Sequence, residues 1–110
     1  MDALDMLVIK LSKMGGLRRA RQSIEIARAA GLGLLGSNLT ESAVSFTAAT
    51  LLYAGYGFEF PADMNGPGQF LGDGPAFDQL KLERGTVTLP TGPGLGLDIA
   101  EGDVRGFMDP

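Results

Sequence analysis

The chain has 110 residues, enough for one small domain with a modest core, and a net charge of −4 that argues against a nucleic-acid surface. It holds no cysteine and no histidine, which removes disulfides and the usual zinc and thiolate-iron sites and leaves only an oxygen-ligand metal site open. No run reaches the roughly 18 apolar residues of a membrane span, and Met1-Asp2-Ala3-Leu4-Asp5 puts acids where a secretory leader needs positive charge, so a soluble cytoplasmic chain with no membrane partner is expected.

Within Leu4 to Lys10 the run Met6-Leu7-Val8-Ile9 is short, apolar and unalternating, and it ends on a lysine. Such a run predicts a parallel strand buried on both faces. Gly15-Gly16 then breaks the chain before a helical period. Leu17, Ala20, Ile24 and Ala27 share one stripe, while Arg18, Arg19, Gln22, Glu25 and Arg28 mostly face away. Gly31 stands where a left-handed C-terminal cap is expected.

The pattern repeats. Leu32 to Gly36 predicts a second short buried strand. Ser37-Asn38-Leu39-Thr40 is a polar turn offering helix N-caps, and Glu41 would sit near the positive end of the next helix dipole. Val44, Ala48, Leu51 and Leu52 give that helix its stripe, closed by Gly55, and Gly57 to Phe60 predicts a third strand stopped by Pro61. Strands spaced by about 25 residues suit consecutive βα units in a parallel sheet. After Pro61 the composition changes: Asp63 to Gly74 is a loop rich in Gly, Pro and Asp. Thr86-Val87-Thr88-Leu89 alternates, Pro90 to Gly94 turns, and Leu95 to Ile99 is expected to extend again. Residues 1–75 are therefore expected to be one α/β segment and residues 76–110 a tail without domain independence.

Four segments in order resemble the mandelate racemase/muconate lactonizing enzyme family of the enolase superfamily. Val8-Ile9-Lys10-Leu11-Ser12-Lys13-Met14-Gly15-Gly16 is similar to the family's sixth barrel strand and its turn. Ala29-Ala30-Gly31 with Gly36-Ser37-Asn38-Leu39-Thr40-Glu41-Ser42 resembles the seventh unit. Pro61-Ala62-Asp63-Met64-Asn65-Gly66-Pro67 resembles the exit from the eighth strand, and Gly85-Thr86-Val87 with Leu89 to Gly96 the terminal return to a capping domain.

The resemblance implies a partial TIM (β/α) barrel comprising the last three strands, in an enzyme that removes the proton next to a carboxylate and holds the enolate with magnesium. The reaction would be a racemase/epimerase, cycloisomerase or dehydratase step. It makes Lys10 the acid/base lysine, whose amine must be desolvated or sit near another cation to act as a base near neutrality. Glu41, Asp63 and Glu59 become substrate-binding candidates. The Pro61 to Pro67 segment leans toward an amino-acid or proline-like carboxylate. The family's metal acids, its second-strand lysines and most of its capping domain would precede Met1. No metal ligand is therefore expected in this chain, its partners are expected to be the missing barrel half and capping domain, and no activity is expected in isolation. A homo-oligomer is compatible with all of this.

Simpler readings stand beside these. Lys10 also suits a strand-end lysine reaching solvent, Glu41 a helix-start acid, Asp63 a turn residue, and Glu59 a residue alternating with Phe58 and Phe60. Two further classes remain open: a non-catalytic fragment, suggested by Asp2 to Asp5 entering the first strand at once, and a subunit that completes a barrel with another chain. Gly31-Leu32-Gly33-Leu34-Leu35-Gly36 satisfies G-x-G-x-x-G, but a helix precedes it where a dinucleotide site needs a strand. Arg18, Arg19, Arg21 and Arg28 suit a solvated helix face better than a phosphate site.

Overall fold

A computed structural model describes residues 3–67 and 74–108. Strands β1 (Met6–Lys10) and β2 (Gly33–Ser37) pair in parallel, from Met6 opposite Gly33 to Lys10 opposite Ser37. The crossover between them carries α1 (Leu11–Met14) and α2 (Leu17–Ala29), and α3 (Ala43–Gly55) follows β2. Alternation divides this ladder into two faces. Leu7, Ile9 and Leu34 pack with Ala20, Ile24 and Ala27 of α2 and Ala48, Ala49 and Tyr53 of α3. Met6, Val8 and Lys10, with Leu35 and Ser37, fall on the opposite face.

That second face corrects one expectation. Met6 and Val8 remain 38% and 43% exposed, so β1 is covered on one side only. A parallel strand is buried twice over only where a second layer meets it, and no described element does so here.

Helix α2 uses the expected stripe at Ala20, Ile24 and Ala27, although Leu17 in its first turn stays exposed. It closes as the sequence predicts. Gly31 adopts φ 73°, its N–H donates to the Arg28 carbonyl (2.9 Å), and the Leu32 N–H donates to Ala27 (2.9 Å). These are the two bonds of a Schellman cap. The G-x-G-x-x-G segment is thus a helix end followed by a strand, and no helix opens at it. On the outer side Arg21 pairs with Glu25, which also accepts from the Tyr56 hydroxyl, while Arg28 lies over the Tyr56 ring and donates to its carbonyl. Arg18 and Arg19 are exposed.

Helix α3 begins at Ser42, whose hydroxyl accepts from the Ser45 N–H (3.3 Å), a standard N-cap. Of the expected stripe Ala48 is buried while Val44, Leu51 and Leu52 are only partly covered, and the other buried positions are Ala43, Phe46, Thr47, Ala49 and Tyr53. Its end also explains why the third strand fails to form. Gly57, not Gly55, is the left-handed cap (φ 59°): its N–H donates to Ala54 and the Phe58 N–H to Tyr53. Backbone groups spent on a helix cap are lost to a strand, and Pro61 has no N–H to offer. The parallel contact instead comes later, as one bridge between Ser37 and Asp63 in which the Asp63 N–H donates to Gly36 (2.9 Å).

Beyond Gly74 the chain makes a 3-10 turn at Phe77–Gln79 and an antiparallel hairpin of β3 (Lys81–Glu83) and β4 (Thr86–Thr88). Arg84 and Gly85 both have positive φ (48° and 76°), as a type I′ turn requires. The alternation at Thr86 to Leu89 is therefore a real strand signal. Leu95 to Ile99 does not extend into a sheet, and α4 (Glu101–Met108) follows, a helix the periodicity did not suggest, exposed from Glu101 to Gly106. The expected loop from Asp63 to Gly74 falls partly outside the described residues. Among those described, no helix is long and apolar enough to cross a membrane.

Candidate active site

The polar groups gather at the carboxyl ends of β1 and β2. Lys10 closes β1 on the same face as Met6 and Val8, and its Nζ donates to the Asn38 carbonyl at 3.1 Å. That carbonyl is available because Asn38 lies one residue beyond β2. The N–H of the same peptide unit, on Leu39, donates to Glu41 Oε1 (3.4 Å), and Glu41 Oε2 accepts from the Ser45 hydroxyl (2.7 Å). One peptide group therefore carries a lysine amine at its oxygen and a carboxylate at its nitrogen. Glu41 is only 8% exposed and sits just before the α3 N-cap, so it serves the helix start and lies beside the Lys10 contact at the same time.

Asn38 is 2% exposed, and both the oxygen and the nitrogen of its side-chain amide are bonded. Its Oδ1 accepts from the Asn65 N–H (2.7 Å) and its Nδ2 donates to the Asn65 carbonyl (3.0 Å). The amide acts as one extra rung of backbone pairing after the Ser37–Asp63 bridge. Asp63 is brought to the same strand ends, where its Oδ2 lies 3.5 Å from the Ser37 hydroxyl, at the limit of a hydrogen bond. Its carboxylate otherwise faces solvent.

Tyr53 supports this arrangement from the helix side. Its ring covers Gly36 so closely that a Cβ there would lie 2.5 Å from the ring. Its hydroxyl lies 2.8 Å from the Ile9 carbonyl and 2.7 Å from that of Ser37, so one proton ties the ends of both strands. Burial pushes this phenol up to about 12, and the charge of Glu41 adds to the effect. Sequence reasoning missed Tyr53 and gave Asn38 no role beyond the turn. The available signals were a tyrosine in an otherwise small and apolar helix and an asparagine directly after a strand.

Glu59 is not brought to this group. It is exposed and lines a small depression with Arg28, Leu32, Gly33 and Leu34, at the amino end of β2. A larger, mainly apolar cleft of about 540 Å³ lies between α3 and the β3–β4 hairpin, lined by Phe46, Thr50, Phe60, Met64, Leu82 and Val87 among others. It contains none of Lys10, Glu41 or Asp63, so we do not assign the chemistry to it. A magnesium site does not fit the residues present. No three acids converge among the described residues to supply the oxygen ligands it needs.

Known proteins resemble this chain. The family described as enolase C-terminal domain-like matches residues 1–103. Muconate cycloisomerase 1 of Rhodococcus opacus is 33% identical over 88% of this chain and 26% of its own length. Chloromuconate cycloisomerase of Pseudomonas putida is 32% identical over 94% of this chain and 28% of its own. A dipeptide epimerase from Cytophaga hutchinsonii, crystallised with Mg and the dipeptide D-Ala-L-Val, superposes with a TM-score of 0.72 at 26% identity, covering 93% of this chain and 28% of that one. The chain thus spans about a quarter of the length of the relatives it matches. With the match running through β1, β2 and the Asp63 bridge, the chain belongs to the enolase C-terminal domain-like family of the enolase superfamily.

Proposed function

We propose that this chain supplies the acid/base lysine and part of the substrate-facing wall of a magnesium-dependent enolase-superfamily enzyme that abstracts the proton alpha to a carboxylate. Residues 1–75 would be a segment of its (β/α) barrel and residues 76–110 a tail returning to a capping domain. The observation that carries the reading is Lys10, placed at the carboxyl end of a parallel strand with its amine held on the Asn38 carbonyl at 3.1 Å. Strand carboxyl ends are where barrel enzymes build their sites. A neutral lysine amine keeps N–H groups as well as its lone pair. Nζ can therefore stay on Asn38 while it accepts the substrate proton, and it remains aimed in both protonation states. The exposed Asp63 carboxylate suits the cationic group of an amino-acid-like substrate, and Glu41 biases charge at the same edge.

Magnesium would be held by acids outside this chain, where it would stabilise the developing enolate charge. The open face at Met6 and Val8 supports completion by further strands. Calorimetry tests the division of labour. The chain alone should show no magnesium binding. Mixed with a muconate cycloisomerase lacking the matching quarter, it should restore magnesium binding and α-proton exchange of a carboxylate together. Tight magnesium binding by the isolated chain would overturn the assignment.

A further inference from the structure

We infer that Asn38 is the positioning residue for Lys10, through a clamp that joins the β2 exit to the segment at Asn65. The inference rests on the reading of Lys10 as acid/base group and adds how its amine is held in place. Lys10 has one described hydrogen-bond partner, the Asn38 carbonyl. A backbone oxygen beyond a strand end has no ladder to fix it. Here the fixing comes from the Asn38 side chain, which is buried and makes both of its bonds to the Asn65 backbone (2.7 and 3.0 Å).

Those bonds are long-range in sequence and fix the side chain from Asn38 Cβ outward. The Leu39 N–H to Glu41 contact fixes the other side of the same peptide. Rotation of that peptide would have to break the Leu39 N–H contact to Glu41, while the side-chain bonds to Asn65 hold the Asn38 Cα from which the peptide starts. Lys10 therefore reads the position of the Asp63–Asn65 segment through one residue, so the proposed base and the proposed substrate-facing acid Asp63 move as one unit. Any substrate contact that shifts Asp63 would be felt at the amine.

Trace acetylation of the 110-residue chain, read by peptide mass spectrometry, tests this. Lys13 and Lys81 are exposed and serve as internal references. In the wild-type chain Lys10 should react more slowly than both. In Asn38→Ala its reactivity should rise about fivefold relative to them, the factor corresponding to one net hydrogen bond. Hydrogen exchange measured alongside should show β1 and β2 amides still protected and the Asn65 amide newly exposed. An unchanged Lys10 ratio with the ladder protected would overturn the positioning role.

Should Asn38→Ala unfold the ladder, Asn65→Pro removes the N–H that Asn38 accepts, from an exposed position, and should give the same rise. Loss of the ladder in both variants would mean the clamp holds the fold rather than the lysine, and would equally overturn the inference. Labelling reports where the amine sits, not what it does. In the reassembled enzyme, Asn38→Ala should lower kcat more than it alters KM. A Lys10→Ala enzyme that still exchanges α-protons would refute the catalytic reading while leaving the clamp intact.

Discussion

The molecule contains the same device twice, in two very different settings. In the β1–β2 region the Asn38 amide grips the backbone of Asn65 with bonds of 2.7 and 3.0 Å. In the tail the Gln79 amide grips Asp98 in the same reciprocal way, its Nε2 donating to the carbonyl (2.6 Å) and its Oε1 accepting from the N–H (2.8 Å). Bond length does not distinguish them; surroundings do. Asn38 lies beside the core that Ile9, Leu34 and Tyr53 share, whereas Gln79 and Asp98 are exposed. A buried group that loses its partner bears the full cost of desolvation, and an exposed one is rehydrated. Equal geometry should therefore have unequal consequences.

The largest effect should come from the close approach that holds the buried half together. Gly36→Ala sets a methyl group 2.5 Å from the Tyr53 ring and should lower unfolding free energy by about 3 kcal/mol in denaturant titration. Next comes Asn38→Ala, which should cost about 2 kcal/mol by removing two hydrogen bonds and leaving a space where the buried amide packed. Tyr53→Phe should cost about 1 kcal/mol at neutral pH.

Tyr53→Phe also carries a pH signature. The folded chain holds the Tyr53 proton to about pH 12 while the unfolded chain releases it near 10.0, so this contribution is complete below 10 and is lost as pH rises through 12. The wild-type chain should accordingly lose about 2–3 kcal/mol relative to the phenylalanine variant across that window. Gln79→Ala should be smallest, within about 0.5 kcal/mol of wild type. A Gln79 effect equal to that of Asn38 would break the comparison and assign the tail a cooperative role.

The same contrast explains how far the fold was legible. Met6 to Ile9, the α2 stripe and Gly31 follow local rules, because apolar runs, helical period and left-handed caps act over a few residues. Gly57 to Phe60 misled because the same residues satisfy a strand pattern and a helix cap, and the choice fell to hydrogen bonds back to Tyr53 and Ala54. Lys10, Glu41 and Asp63 were candidates through family resemblance, and the structure sets all three near the ends of β1 and β2. Glu59 was expected with them through the same resemblance, but it lines a depression at the amino end of β2. Asn38 and Tyr53 work through partners 27 and 44 residues away, a separation no local pattern encodes.

The proposed role of Lys10 is to move the proton. The direct measurement is deuterium incorporation alpha to the carboxylate of a dipeptide, or solvent-proton incorporation with muconate, followed by proton NMR in the enzyme reassembled from this chain and a relative lacking its matching quarter. Exchange is expected with the wild-type chain, with a loss of at least about 10²-fold in Lys10→Ala, the scale of one general acid–base group. Exchange that persists undiminished in Lys10→Ala would contradict that role.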